Sequence, residues 1–281
     1  MNIDNSTPNK TLNGSSDSDS IKNSGALVKI YAQGGSDTID NSANLVTISA
    51  GAGNDSVKNT GSNVKISLDA GDDKASIFSG TDIKIYGGAG NDSIIGNAGD
   101  NLTISGGAGN DYIELSYSEE DVQSISLSGG SGRDTIVNNN KSVTIDGGSG
   151  NDSIRNFGDN VYINAGAGND KIYNDSVESY YSSASATINA GSGNDSIYNT
   201  SANVSINGGD GRDTIRNYAA NVTIGGGSGN DYIYLGSGST NNLIQYTSGN
   251  DVIRGFNSDD TLQIAGGYSS SKSGSDMIIT V

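Results

Sequence analysis

The chain has 281 residues, of which 42 are Gly and 32% are hydrophobic, and its formal net charge is −17. So little apolar matter at so high a charge sits at the edge of the disordered class, and an ordinary globular core is hard to build from it. Cys and His are absent, which excludes a disulfide framework, thiolate or imidazole metal sites and the commonest general base. The negative balance argues against a nucleic-acid partner and favours hard cations, which take oxygen ligands. No stretch is apolar for long enough to span a membrane, and the first residues lack the basic start and apolar run of a secretory signal.

In chain order, residues 1–13 read as a polar lead-in that holds the single proline, Pro8. From residue 14 a Gly-rich word recurs, as in Gly87-Gly88-Ala89-Gly90-Asn91-Asp92 and Gly147-Gly148-Ser149-Gly150-Asn151-Asp152. Its closing acid falls at Asp19, Asp37 and Asp55, at Asp134, Asp152 and Asp170, and at Asp195, Asp213 and Asp231, each time in steps of 18. Asp92, Asp111 and Asp251 continue the series with longer steps, and one unit carries Ala75 where the acid is expected, beside Asp72 and Asp73. This gives 13 units, 12 of them with the acid. Each unit holds an alternating strand before the loop (Val161 and Ile163 between Tyr162 and Asn164) and a short strand after it (Ile172 between Lys171 and Tyr173). Two short strands and two turns cannot bury a face alone. Stacked coil on coil, their β-branched columns form a thin continuous core. The expected fold is all-β, a parallel β-roll or β-helix solenoid of 13 coils over residues 14–257, with 258–281 as a closing segment and Phe256 and Leu262 available to cap the core. Segments 115–124 and 175–185 read as loops thrown out of the coil, the second holding Tyr180 and Tyr181 as a cover over one side.

The Gly loop is the candidate site. Glycines allow positive φ and let carbonyl oxygens converge, and the closing Asp adds a carboxylate. Two successive loops supply the six or seven oxygens that calcium takes. The candidate metal ligands are Asp55; Gly87, Gly88, Gly90 and Asp92; Gly106, Gly107, Gly109 and Asp111; Gly129, Gly130, Gly132 and Asp134; Gly147, Gly148, Gly150 and Asp152; Gly166, Gly168 and Asp170; Gly191, Gly193 and Asp195; Gly208, Gly209, Gly211 and Asp213; Gly226, Gly227, Gly229 and Asp231; and Asp251. A lone loop of this kind is an ordinary turn former. A register of such loops is not, because stacked carboxylates at about 5 Å repel without cations and Asn would turn the chain as well. The opposite turn carries Asn at both corners (Asn41/Asn44, Asn59/Asn63, Asn156/Asn160, Asn199/Asn203, Asn217/Asn221). Those amides read as a hydrogen-bonding ladder.

The loops resemble the nonapeptide G-G-x-G-x-D-x-U-x of haemolysin-type calcium-binding repeats, the repeats-in-toxin (RTX) family, whose calcium-binding β-helix is also a general repeat signature. Gly87 to Ile94, Gly147 to Ile154 and Gly226 to Ile233 carry the match. The resemblance implies a right-handed parallel β-roll, Ca2+ between successive loops, and a secreted or surface location reached by a type I system. Its uncleaved signal would lie beyond Val281, where the chain stops in an apolar strand. The Asn-rich turn departs from the two-sided family pattern, so one calcium column is expected, weakest at Ala75 and in the first coils. The function expected is a calcium-binding structural module that folds on calcium outside the cell and is not an enzyme. Its further partner is left open between a cell surface, a glycan and self-assembly. The alternatives are an adhesin, S-layer or ice-binding surface, and a calcium-dependent polysaccharide lyase. Ice-binding rolls carry Thr at the loop position occupied here by Ala52, Ala89, Ala108, Ser131, Ser149, Ala167, Ser192, Asp210 and Ser228. Arg133, Arg155, Arg212 and Arg216 supply the cations a lyase needs, but no constellation breaks the repeat as an active site should.

Overall fold

A computed structural model describes residues 1–97, 99–118, 122–175 and 185–264, and the backbone of 269–273 and 276–280. It is an all-β parallel solenoid of about 14 turns, with no helix among the described residues. No helix is long and apolar enough to cross a membrane. The chain divides into two compact units, Met1–Val143 and Thr144–Val281.

In the first unit, pre-loop strands such as Val46–Ala52, Val64–Ala70 and Ile83–Ala89 pair in parallel, Val46 with Val64 and Val64 with Ile83. Post-loop strands such as Ser20–Asn23, Thr38–Asn41 and Ser56–Asn59 form a second parallel series, with Ile21, Ile39 and Val57 in one column. These columns are at most 2% exposed, and each Ile or Val withdrawn from water contributes about 1.5–3 kcal/mol. Residues 1–13 are not a loose lead-in. Asn2–Asn5 pairs with Ser20–Asn23, and Thr11–Asn13 pairs with Lys29–Tyr31, so the first coil begins there.

The second unit repeats the plan. Val161, Ala186 and Val204 align before the loop, and Ile154, Ile172, Ile197, Ile215 and Ile233 align after it. Thr261–Ile264 pairs in parallel with Leu243–Tyr246, which places Leu262 beside Ile244 as one more coil rather than a cap. The parallel series ends where Asp276–Thr280 runs antiparallel to Asp251–Arg254. Phe256 is half-buried.

Three expectations need correction or fall outside the described residues. The acid of the middle unit is Asp73, because Ala75 pairs with Val57 and Ile94 in the buried aliphatic column. Residues 59 and 77 align, as do 64 and 83, so the extra residue lies in the far turn and not in the Gly loop. The outward loop expected from residue 115 starts later, since Tyr112–Ser116 is a strand and Leu115 is fully buried. Tyr180 and Tyr181 lie outside the described residues.

A buried aspartate ladder as the candidate calcium site

Within each loop the backbone alternates between ordinary and positive φ. In the loop 106–111, Gly107 and Gly109 have φ of 117° and 134°. A Cβ on either would run into the carbonyl oxygen of Gly88 or Gly90 in the preceding coil, so glycine is required twice over. The loop before Asp73 is a departure, since Asp69 takes φ 76° where most coils have Gly. Its carboxylate accepts from the hydroxyls of Ser67 and Ser49, at 2.5 and 2.6 Å.

The closing acids form a column within each unit. In the first unit the amide of each Asp donates to Oδ1 of the next, from Asp19 to Asp37, Asp55, Asp73, Asp92, Asp111 and Asp134, at 2.7–2.9 Å. In the second unit Asp152, Asp170, Asp195, Asp213, Asp231 and Asp251 repeat it at 2.7–2.9 Å. At the first rung the N-terminal ammonium of Met1 takes the amide's place on Asp19 Oδ1. All these carboxylates are nearly inaccessible to solvent. One oxygen of each is thus engaged by the coil stacking itself. The other, Oδ2, is buried without a partner in Asp37, Asp55, Asp73, Asp92, Asp111, Asp170, Asp195, Asp213 and Asp231.

A buried anionic oxygen with no donor is costly unless a cation or proton meets it. The acidities reflect this. Burial first, and neighbouring rungs second, push Asp73 and Asp213 up to about 7 and Asp92 and Asp170 up to about 6. Asp55 and Asp251 also rise to about 6, with burial again the leading cause. Asp19 moves the other way, held down by the N-terminal ammonium.

At several acids Oδ2 faces a space that the first loop glycine leaves open. A Cβ on Gly87 would collide with Asp92 Oδ2 and the Gly106 carbonyl oxygen; on Gly147, with Asp152 Oδ2 and the Ala165 carbonyl; on Gly208, with Asp213 Oδ2 and the Gly226 carbonyl. A carboxylate oxygen and a carbonyl of the next coil therefore converge where the first loop glycine lacks a side chain, a donor set that suits calcium. Gly106 and Gly226 face Asp111 Oδ2 and Asp231 Oδ2 in the same way. The position is not glycine throughout. It is Ala at Ala32, Ala50, Ala165 and Ala190, and buried Leu68 and Tyr246 stand there in two coils.

Outside the acid column the loops carry a second ladder. In most coils Asn precedes the acid and accepts from a backbone amide of the following coil, as in Asn91 Oδ1 from Asn110 and Asn169 Oδ1 from Asn194, at 2.7–2.8 Å. The backbone amides of Arg133 and Arg212 join this series.

The far turn has different chemistry. Its first Asn is buried and passes a side-chain bond from coil to coil: Asn5 to Asn23 to Asn41 to Asn59, and Asn156 to Asn174 to Asn199 to Asn217, at 2.7–2.8 Å. The second corner serves the backbone, as Asn63, Asn160, Asn203 and Asn221 take φ of 55–59°. No far-turn carboxylate holds an orphaned buried oxygen among the described residues.

A parallel solenoid with an acid column facing Gly loops defines a class, the calcium-binding β-roll modules. The profile of the RTX calcium-binding nonapeptide repeat matches residues 84–113, 128–155, 158–176, 182–215, 189–224, 207–241 and 238–267, and the chain belongs to that family. No curated protein matches it. Among solved structures it is similar to a hyperactive, Ca2+-dependent, β-helical antifreeze protein from an Antarctic bacterium, at 17% identity over 85% of this chain and 84% of that one, with a TM-score of 0.55. The profile does not reach residues before 84, yet the same coil register extends back to Asn2.

Proposed function

We propose that the chain is a calcium-loaded structural module of a secreted or surface-displayed protein, unfolded at cytosolic calcium and folded outside the cell. The observation that carries this reading is the row of buried Oδ2 atoms without donors, which at Asp92, Asp111, Asp213 and Asp231 face spaces that the first loop glycine leaves open. Asp92, Asp111, Asp152, Asp213 and Asp231, with the carbonyls of successive loops, would hold the ions. Calcium supplies the positive charge that these carboxylates need in order to stay ionised when buried. Because the ion binds the coil stack and little of the unfolded chain, each site at 100 times its Kd would add about 2.7 kcal/mol to folding. The Leu68 and Tyr246 side chains occupy the corresponding space, so calcium is expected to be weakest beside Asp73 and Asp251.

Circular dichroism in millimolar calcium and in EDTA tests the reading. A β signal appears only with calcium if it holds, and an unchanged signal in EDTA sinks it. The ice-binding alternative is not favoured, because the loop positions from Ala52 to Ser228 carry Ala, Ser or Asp and no Thr. Thermal hysteresis in calcium would reopen it.

A further inference from the structure

The outward face of the post-loop strands in the second unit holds residues that calcium chemistry does not use. Their register aligns Arg155, Tyr173, Tyr198, Arg216, Tyr234 and Arg254 in one column. Tyr218, just past the strand Thr214–Asn217, completes a row of rings with centroids 6.3 Å (Tyr173–Tyr198), 5.1 Å (Tyr198–Tyr218) and 5.9 Å (Tyr218–Tyr234) apart. The Arg155 guanidinium lies 5.7 Å from the ring centres of both Phe157 and Tyr173, and that of Arg254 lies 5.7 Å from Tyr232. The adjacent outward column reads Ser153, Lys171, Ser196, Thr214, Tyr232 and Val252.

Neither column holds an acid, in a chain whose net charge is −17. Five of the 14 tyrosines gather here. Among the described residues neither Arg155 nor Arg216 makes an ion pair, and both are exposed. Stacking of guanidinium on ring fixes the cation while leaving its N–H fork available for a carboxylate. The coil spacing places either a ring or a cation about every 4.8 Å, close to the length of one pyranose residue, with the arginines two or three coils apart. A partner with rings and charges at the same repeat therefore matches the strip. A nucleic-acid duplex, with a charge about every 1.7 Å, is far denser than this column can match.

We propose that this strip binds a linear acidic polysaccharide, its sugar rings lying on the tyrosine faces and its uronate carboxylates held by Arg155 and Arg216. The inference goes beyond the calcium-module reading and needs only the folded roll. The test is calorimetry of the calcium-saturated full chain with galacturonate oligomers too short to gel with calcium, and with neutral gluco-oligomers of equal length. The acidic oligomers are expected to bind at least about tenfold more tightly than the neutral ones. Arg155→Gln with Arg216→Gln, or Tyr198→Ala, should weaken binding by about tenfold or more. Lys22→Gln with Lys58→Gln, on the first unit, should leave it unchanged. Circular dichroism in calcium establishes that each variant is folded, and Arg155→Lys, which keeps the charge but not the fork, should fall between. Absence of binding by folded protein, equal binding of neutral oligomers, or indifference to the strip variants would overturn the proposal. So would a calcium-dependent dimer abolished by those variants, which would make the strip a contact between copies. A chain that fails to fold in calcium would instead count against the calcium reading.

Discussion

Along the post-loop strands of the first unit, the outward third position alternates Asp4, Lys22, Asp40 and Lys58 and then passes through Ser76, Ile95, Glu114 and Val137. In the second unit the same position holds only Arg and Tyr. One residue away, the inward columns of the two units are nearly identical. An inward side chain must fit its copies above and below at strand spacing, so coil stacking fixes its type. An outward one is held in place but not specified, and it is where two units on one plan can acquire different partners.

The inward columns do differ at one place. The Asn ladder of the second unit runs unbroken from Asn156 to Asn217. That of the first ends at Asn59, and Ile77, Gly96 and Leu115 follow in register before Asn138. Stacked amides satisfy one another across coils, whereas the apolar rungs gain by burial alone.

The largest expected effect treats both units alike. Calcium withdrawal should unfold both, and Asp213→Asn or Asp111→Asn should each remove about one ion by calorimetry and lower the thermal midpoint in calcium. In EDTA the same substitutions should restore part of the β signal, since they delete a buried charge and keep the Oδ1 acceptor. A midpoint in calcium that falls with no loss of bound ion would show that the carboxylate is there for packing.

Acidity comes next. In the metal-free chain the ladder aspartates have folded-state pKa values raised by burial to about 6 for Asp92 and Asp170 and about 7 for Asp73 and Asp213. The folded form then binds more protons than the unfolded form, so this stability is fully present below pH ~4 and is lost as pH rises through ~6–7. In EDTA the β signal should return on acidification through that window. In calcium the ion affinity should fall over the same range, as protons compete. A metal-free signal that strengthens with rising pH contradicts the ladder.

Asn substitution separates the units. Asn199→Ala breaks bonds to both Asn174 and Asn217 and should cost about 2–3 kcal/mol. Asn59→Ala, at the end of its ladder, loses one inter-coil rung instead of two, beside local bonds to Gly61 that match those of Asn199 to Ser201, and should cost about 1–2 kcal/mol. Chemical denaturation in saturating calcium gives both values, and equal costs would deny that the ladder is cooperative.

The smallest effect is confined to the first unit. Leu27 and Leu45 adopt φ of 60° and 61° and are 52% and 51% exposed, where most other coils place Asn and a few Asp or Ser. Leu45→Asn should raise stability by about 0.5–1 kcal/mol through relief of the left-handed strain, read as a small upward shift of the thermal midpoint. A fall would show that the leucine is needed at the surface.

Much of this was legible in the repeat. Alternation before the loop placed Val161 and Ile163 inward, and the Gly–Asp spacing placed the acids in one column. Asp73 was misread because its loop, Ala70-Gly71-Asp72-Asp73, lacks the usual word, although the steps of 18 from Asp55 and 19 to Asp92 point to it. The outward strip also had a signal, since Arg155, Tyr173, Tyr198, Arg216, Tyr234 and Arg254 all stand three residues after a ladder acid.

By itself the sequence determined the coil, the facing of most columns and oxygen ligands suited to calcium, because these depend on period, loop composition and charge. Only the tertiary structure decided which carboxylate oxygen is used by the next coil and which is left over, that Leu68 and Tyr246 fill the space beside their acids, and that five tyrosines and three arginines form one surface. Those outcomes depend on side-chain direction and on contacts between residues 18 to 25 positions apart, set by where the extra residues of each coil are accommodated.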